Sequence, residues 1–167
     1  GYGEIRDDSK VFLEIKKKYQ GVVYKRRTQL PMTQARSYLE SGVFTEEKSQ
    51  ILKEIDYFIR FYQPQPRVYL AYDREAYVGN EDESLRITID RKIRSRSHRL
   101  ELSYDGECQV LDPGGYLMEI KVPSAYPIWL AALPGELQIY PMSFSKYGAV
   151  YARFLQSETE SEEERIC

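Results

Sequence analysis

Between Val11 and Leu30 the sequence VFLEIKKKYQGVVYKRRTQL alternates side-chain character on both sides of Tyr19-Gln20-Gly21. That pattern constrains the fold more than any other stretch, because a period of two specifies strands and a short glycine turn between two such runs specifies a hairpin. On the first strand Glu14, Lys16 and Lys18 share one face, while Leu13, Ile15 and Lys17 share the other. On the return strand Lys25 and Arg27 fall on one face, and Tyr24 and Arg26 on the opposite one. A row of ammonium and guanidinium groups with a carboxylate among them suits a polyanion carrying a divalent metal.

The pattern recurs in Tyr116-Leu117-Met118-Glu119-Ile120-Lys121-Val122, where Leu117, Glu119 and Lys121 share one face and Met118, Ile120 and Val122 the other. Taken alone, either Glu-Ile-Lys copy is what any solvated sheet face carries. Two copies in strand context raise the motif above that background.

The 167 residues suffice for one domain with its own core. The net charge of −2 hides an uneven distribution: Ser157–Cys167 holds five acidic residues and one Arg, leaving 23 basic and 21 acidic side chains elsewhere. We therefore expect a folded domain over residues 1–156 and a disordered acidic tail over 157–167. Cys108 and Cys167 have neither metal-ligand spacing nor a disulfide framework, which fits a reducing, cytoplasmic setting. No apolar run is long enough to span a membrane and no signal peptide is visible. The first residue is Gly1, which leaves room for a preceding segment or an attached membrane domain.

In chain order, Gly1 to Lys10 reads as a loop or incoming strand end, and Pro31 to Ser41 as a short helix stopped by Gly42. From Thr45, read as an N-cap, Ile51, Leu52, Ile55, Phe58, Ile59 and Tyr62 recur at helical spacing until Pro64, about five turns packed on the outside of a sheet. Arg67 to Tyr77 resumes strand character, with Val68, Leu70, Tyr72 and Arg74 on one side. After a turn over Gly79 to Glu83, Leu85, Ile87 and Ile89 are expected to face a core, with Arg86, Thr88 and Asp90 facing away. The basic run Arg91 to Arg99 reads as a solvated edge strand, and His98 lacks ligand neighbours. Leu100 to Leu111 reads as one or two short strands around Asp105-Gly106. Pro123 to Leu137, with Trp129, Leu130, Leu133 and Leu137, predicts a core-covering helix. A final helix opens at Ser143 to Gly148 and runs to about Leu155. Lys146 near its start gains nothing from the helix dipole, so a bound anion is expected beside it.

Together these segments resemble the polyphosphate polymerase domain of the vacuolar transporter chaperone family, within the triphosphate tunnel metalloenzymes. The resemblance rests on Phe12 to Tyr19, Val23 to Arg27, Tyr72-Asp73-Arg74, Leu85 to Asp90, Leu117 to Pro123 and Ser143 to Gly148, and covers most of the chain from Val11 to Tyr151. It implies an α+β fold in which antiparallel strands form a tunnel with helices outside. The tunnel would bind ATP and polyphosphate or triphosphate through Lys16, Lys25, Arg27, Arg74, Arg86, Lys121 and Lys146. Lys16, Arg74 and Arg86 would act in catalysis, and Glu119, with Glu14 second, would hold Mn²⁺ or Mg²⁺.

The implied reaction moves the γ-phosphoryl group of ATP to a growing polyphosphate chain. Positioned cations supply what that transfer needs, and no covalent nucleophile is required. The family's opening strands would precede Gly1, so roughly the first quarter to third of the usual domain lies outside this sequence and the barrel is expected to be incomplete. Alternatives are a triphosphatase of the same fold and a non-catalytic polyphosphate-binding module, the latter disfavoured by the inward carboxylates. Net acidity and the lack of stacking-platform motifs argue against a nucleic-acid partner. Nothing in the sequence speaks to oligomeric state.

Overall fold

The first hairpin forms as the alternation requires. β1 (Lys10–Tyr19) and β2 (Val22–Pro31) pair antiparallel through Gln20 and Gly21. Both turn residues have positive φ, 47° and 81°, the requirement of a two-residue turn whose twist matches the strands. In the computed structural model, which describes residues 3–44, 49–104, 106–123 and 125–155, this hairpin belongs to the first of two compact units, Gly1–Arg67 with Glu101–Asp105. The second comprises Val68–Leu100 and Gly106–Cys167.

In the first unit the apolar side of the hairpin is covered by α1 (Met32–Ser41) and α2 (Gln50–Tyr62). Val11 and Leu30 bury against Met32 and Ala35, and Ile15 against Tyr38, Leu52 and Ile55. The Tyr38 hydroxyl donates to Asp56 at 2.9 Å. Burial and that carboxylate together push the phenol up to about 12. α1 ends at Gly42, whose φ of 70° is the left-handed cap expected there. The cap expected at Thr45 lies outside the described residues. Within them, α2 begins at Gln50 with Ser49 accepting from the Leu52 amide, so it is a 13-residue helix and shorter than its periodicity suggests.

The second unit is built on a four-stranded antiparallel sheet. β4 (Arg86–Arg96) lies at its centre, with β3 (Tyr69–Val78) on one side and β5 (Gln109–Val110) and β6 (Tyr116–Lys121) along the other. The basic run therefore begins on a central strand, and the edge-strand expectation is wrong. Its charges are matched locally: Arg91 pairs with Glu75 at 3.3 Å, Arg94 with Asp73 at 3.2 Å and Lys92 with Asp73 at 3.7 Å. Arg96 is buried, donates to the Arg99 carbonyl at 2.8 Å and stacks 3.5 Å from the Tyr69 ring. At Lys92, where φ is 49°, β4 carries a bulge: the register jumps from Asp73↔Arg91 to Ala71↔Arg94.

α4 (Lys146–Val150), continued by a π-helical segment to Leu155, covers the end of this sheet beyond the bulge. Val150 and Ala149 pack there on Ile93, Leu111, Val68, Leu70 and Leu117. Two further expectations fail here. Asp90, expected to face away from the core, is the most deeply buried residue of its strand at 1% exposure, whereas Ile87 and Ile89 are half-buried. α3 (Ile128–Glu136) is not core-covering: Leu130 is buried, but Ile128 is 89% and Trp129 58% exposed. Among the described residues the fold is thus α+β with two antiparallel sheets and four α-helices, and neither sheet closes into a barrel. The acidic tail, 157–167, lies outside the described residues.

Candidate functional site

In each unit the predicted site residues gather on one sheet face, and register fixes which side chains share it. On the hairpin, residues directly opposite one another point to the same side, so Glu14↔Arg27 and Lys16↔Lys25 form adjacent rows on the face away from α1 and α2. Glu14 reaches diagonally to Lys25 at 2.8 Å. Arg27 lies 4.6 Å from the Phe12 ring centroid. Lys16, fully on the solvent side, stands directly across from Lys25. Like charges in that relation destabilise a sheet.

On the four-stranded sheet three rows run along β3, β4 and β6: Arg74↔Asp90↔Leu117, Ala76↔Thr88↔Glu119 and Val78↔Arg86↔Lys121. Arg86 and Lys121 are a second like-charge pair set directly opposite. Glu119 sits one row away and holds Lys121 at 3.3 Å. In both units, then, a Glu-x-Lys strand lays its carboxylate beside a facing pair of cations.

The first of these rows is different in kind. Arg74 grips Asp90 bidentately, Nε to Oδ1 at 2.6 Å and an Nη to Oδ2 at 2.8 Å, while Lys146 reaches the same carboxylate from α4 at 2.7 Å. Tyr72 faces both cations, its ring centroid 5.0 Å from the Arg74 guanidinium and 4.6 Å from the Lys146 ammonium. Burial pushes the Asp90 carboxyl up, but the hydrogen bonds from Arg74 and Lys146 outweigh it and hold it below the usual carboxylate range. Reciprocally, the bond to Asp90 raises the Arg74 guanidinium, with a contribution from Glu119.

The resemblance placed Glu14, Lys16, Lys25, Arg27, Arg74, Arg86, Glu119, Lys121 and Lys146 together in one tunnel; the structure sets the first four on one face of the hairpin and, in the second unit, Arg74, Arg86, Glu119 and Lys121 on one sheet face that Lys146 reaches from α4. Sequence reasoning missed Asp90. The anion anticipated beside Lys146 is this carboxylate, supplied by the chain itself. A signal was present, since Arg74 and Lys146 both needed a counter-charge, but nothing in spacing says that Asp90 supplies it.

Among the described residues no three His, Cys, Asp or Glu side chains cluster to cage a metal. Asp90 is saturated by two cations. Glu119 is half-exposed and faces Thr88, whose hydroxyl is buried with no hydrogen-bond partner. The half-exposed Glu119 carboxylate is the one donor here open to a Mg²⁺-type ion, which would take its remaining oxygens from water and substrate phosphates. No described helix is long and apolar enough to cross a membrane.

A protein-family model described as VTC domain matches residues 1–155. No curated protein matches the chain.

Proposed function

The chain belongs to the VTC domain family, which ties it to polyphosphate, and from that premise we propose that it transfers the γ-phosphoryl group of ATP to the end of a polyphosphate chain. The observation that carries this reading is the pair of opposed like charges, Lys16 with Lys25 and Arg86 with Lys121. Each costs its sheet stability and is explained by a ligand whose negative charges repeat along its length.

In the transfer, a terminal phosphate oxygen of the polyphosphate attacks the γ-phosphorus of ATP. The bond from that phosphorus to the β,γ-bridging oxygen breaks, and ADP leaves. The attacking oxygen is already ionised at neutral pH, so no side chain has to remove a proton. The work of the protein is alignment and charge stabilisation. Lys16, Lys25 and Arg27 hold one run of phosphates; Arg74, Arg86, Lys121 and Lys146 hold another and offset charge on the equatorial oxygens of the moving group. Glu119, with Glu14 as a second candidate, would hold Mn²⁺ or Mg²⁺, which would supply further charge neutralisation. A tunnel enclosing the reaction and a cytoplasmic setting belong to the same reading.

A non-catalytic polyphosphate-binding module is the second reading, favoured by the engagement of Glu14 with Lys25 and of Glu119 with Lys121. One experiment separates them: ATP, Mn²⁺ and a short polyphosphate primer, with products resolved on a gel stained for polyphosphate. Lengthening chains and matching ADP support the polymerase. Free phosphate without chains points to a triphosphatase of the same fold, and binding without turnover to the module.

A further inference from the structure

Asp90 is the feature that the proposed function leaves unassigned. Its carboxylate is 2% exposed and cannot itself meet a phosphate, which it would repel. Its two cations come from different elements: Arg74 from the neighbouring strand β3 and Lys146 from α4, at the far end of the sequence. Arg74 uses Nε and one Nη on Asp90 and keeps its remaining N–H donors for other partners. A bidentate bond fixes the guanidinium plane, so those remaining donors are fixed as well. Lys146 carries a long flexible side chain, and the same carboxylate holds its ammonium against the Tyr72 ring.

We propose that Asp90 is a positioning residue for phosphate binding: it orients Arg74 and Lys146 as one preformed cationic pair, and it does so from beneath, without touching the ligand. This rests on the reading of Arg74 and Lys146 as phosphate ligands. Its signature runs against simple electrostatics. Neutralising Asp90 makes the site more positive, which by Coulomb attraction alone strengthens the binding of a polyanion. Loss of positioning weakens it.

The test is calorimetric titration of the full chain with inorganic tripolyphosphate, comparing the parent with Asp90→Asn, Arg74→Ala and the double variant. Asp90→Asn is expected to weaken binding roughly fivefold or more, the scale of a lost charge-assisted contact. In the Arg74→Ala background the same change is expected to have much less effect, because the group it positions is gone. Asp90→Glu keeps the charge but displaces it by a methylene; it is expected to weaken binding as well and serves if the Asn variant does not fold. Unchanged or tighter binding in Asp90→Asn overturns the proposal, as does an equal loss in both backgrounds, which would mark a general structural role. If Arg74→Ala itself leaves tripolyphosphate binding unaltered, the phosphate-site reading fails instead.

Discussion

On the β1–β2 hairpin, Glu14 crosses to Lys25 on the partner strand; on the four-stranded sheet, Glu119 stays on its own strand and holds Lys121. Both carboxylates lie beside an opposed cation pair, and all these side chains are substantially exposed. Such pairs are worth little to stability and hold their cations only weakly. The four-stranded sheet adds what the hairpin lacks, a carboxylate sunk between two cations where water does not screen it. Under the proposed function the contrast becomes a division of labour. Loosely tethered lysines suit a long anion that must slide, whereas a guanidinium locked in plane suits a phosphoryl group that must be aligned.

The largest effect is expected at Glu119, the carboxylate proposed as the metal ligand. Glu119→Ala should lower Mn²⁺-dependent turnover about 100-fold or more while the folded state persists, and Glu14→Ala, at the second candidate ligand, should lower it less in the same ATP assay. Next is the buried row. Asp90→Ala strands two cations and should cost about 2 kcal/mol in urea denaturation, less than for a fully buried pair because Arg74 is partly exposed. Glu14→Ala should stay within about 0.5 kcal/mol. Equal costs would break the comparison.

Acid is a gentler probe of the same difference. Asp90 titrates below its unfolded value, so its contribution is present above that value, about pH 4, and is lost as pH falls through the lower folded one. Denaturation followed from pH 6 to pH 2 should show this loss in the parent and much less of it in Asp90→Asn. The smallest effect has the opposite sign. Lys16→Ala and Arg86→Ala each remove one member of an opposed pair and should stabilise by a few tenths of a kcal/mol while weakening tripolyphosphate binding in calorimetry. Destabilisation by both would remove the argument that these pairs exist for a ligand.

Strand parity, the Gln20-Gly21 turn and the Gly42 cap could be read directly because each depends on neighbours in sequence. So could the grouping of Lys16, Lys25 and Arg27 with Glu14, since a hairpin's register follows from its turn. What failed depended on distant partners. Alternation assigned Asp90 to the outer side because the residues flanking it are isoleucine and arginine; two cations from β3 and α4 reverse that outcome by satisfying its charge. The run from Arg91 read as an edge because its density of charge suits one, but Asp73 and Glu75 on the neighbouring strand neutralise it in place. The apolar stripe of α3 predicted burial, yet Trp129 and Ile128 stay exposed, because a stripe says which side of a helix is apolar and not whether anything covers it.

The bulge at Lys92 gives β4 two phases. Up to Asp90 the even-numbered residues line the face that carries Arg86, and past Lys92 the odd-numbered Ile93 and Ser95 take over that same face. One inserted residue therefore works as a frame shift written into the backbone. It lets a single strand be ionic where Arg74 and Lys146 converge and greasy where Val150 packs, without breaking the sequence alternation on either side. Without it, the residues beyond would be read in the wrong frame: Arg94 would turn toward the apolar layer and Ile93 away from it.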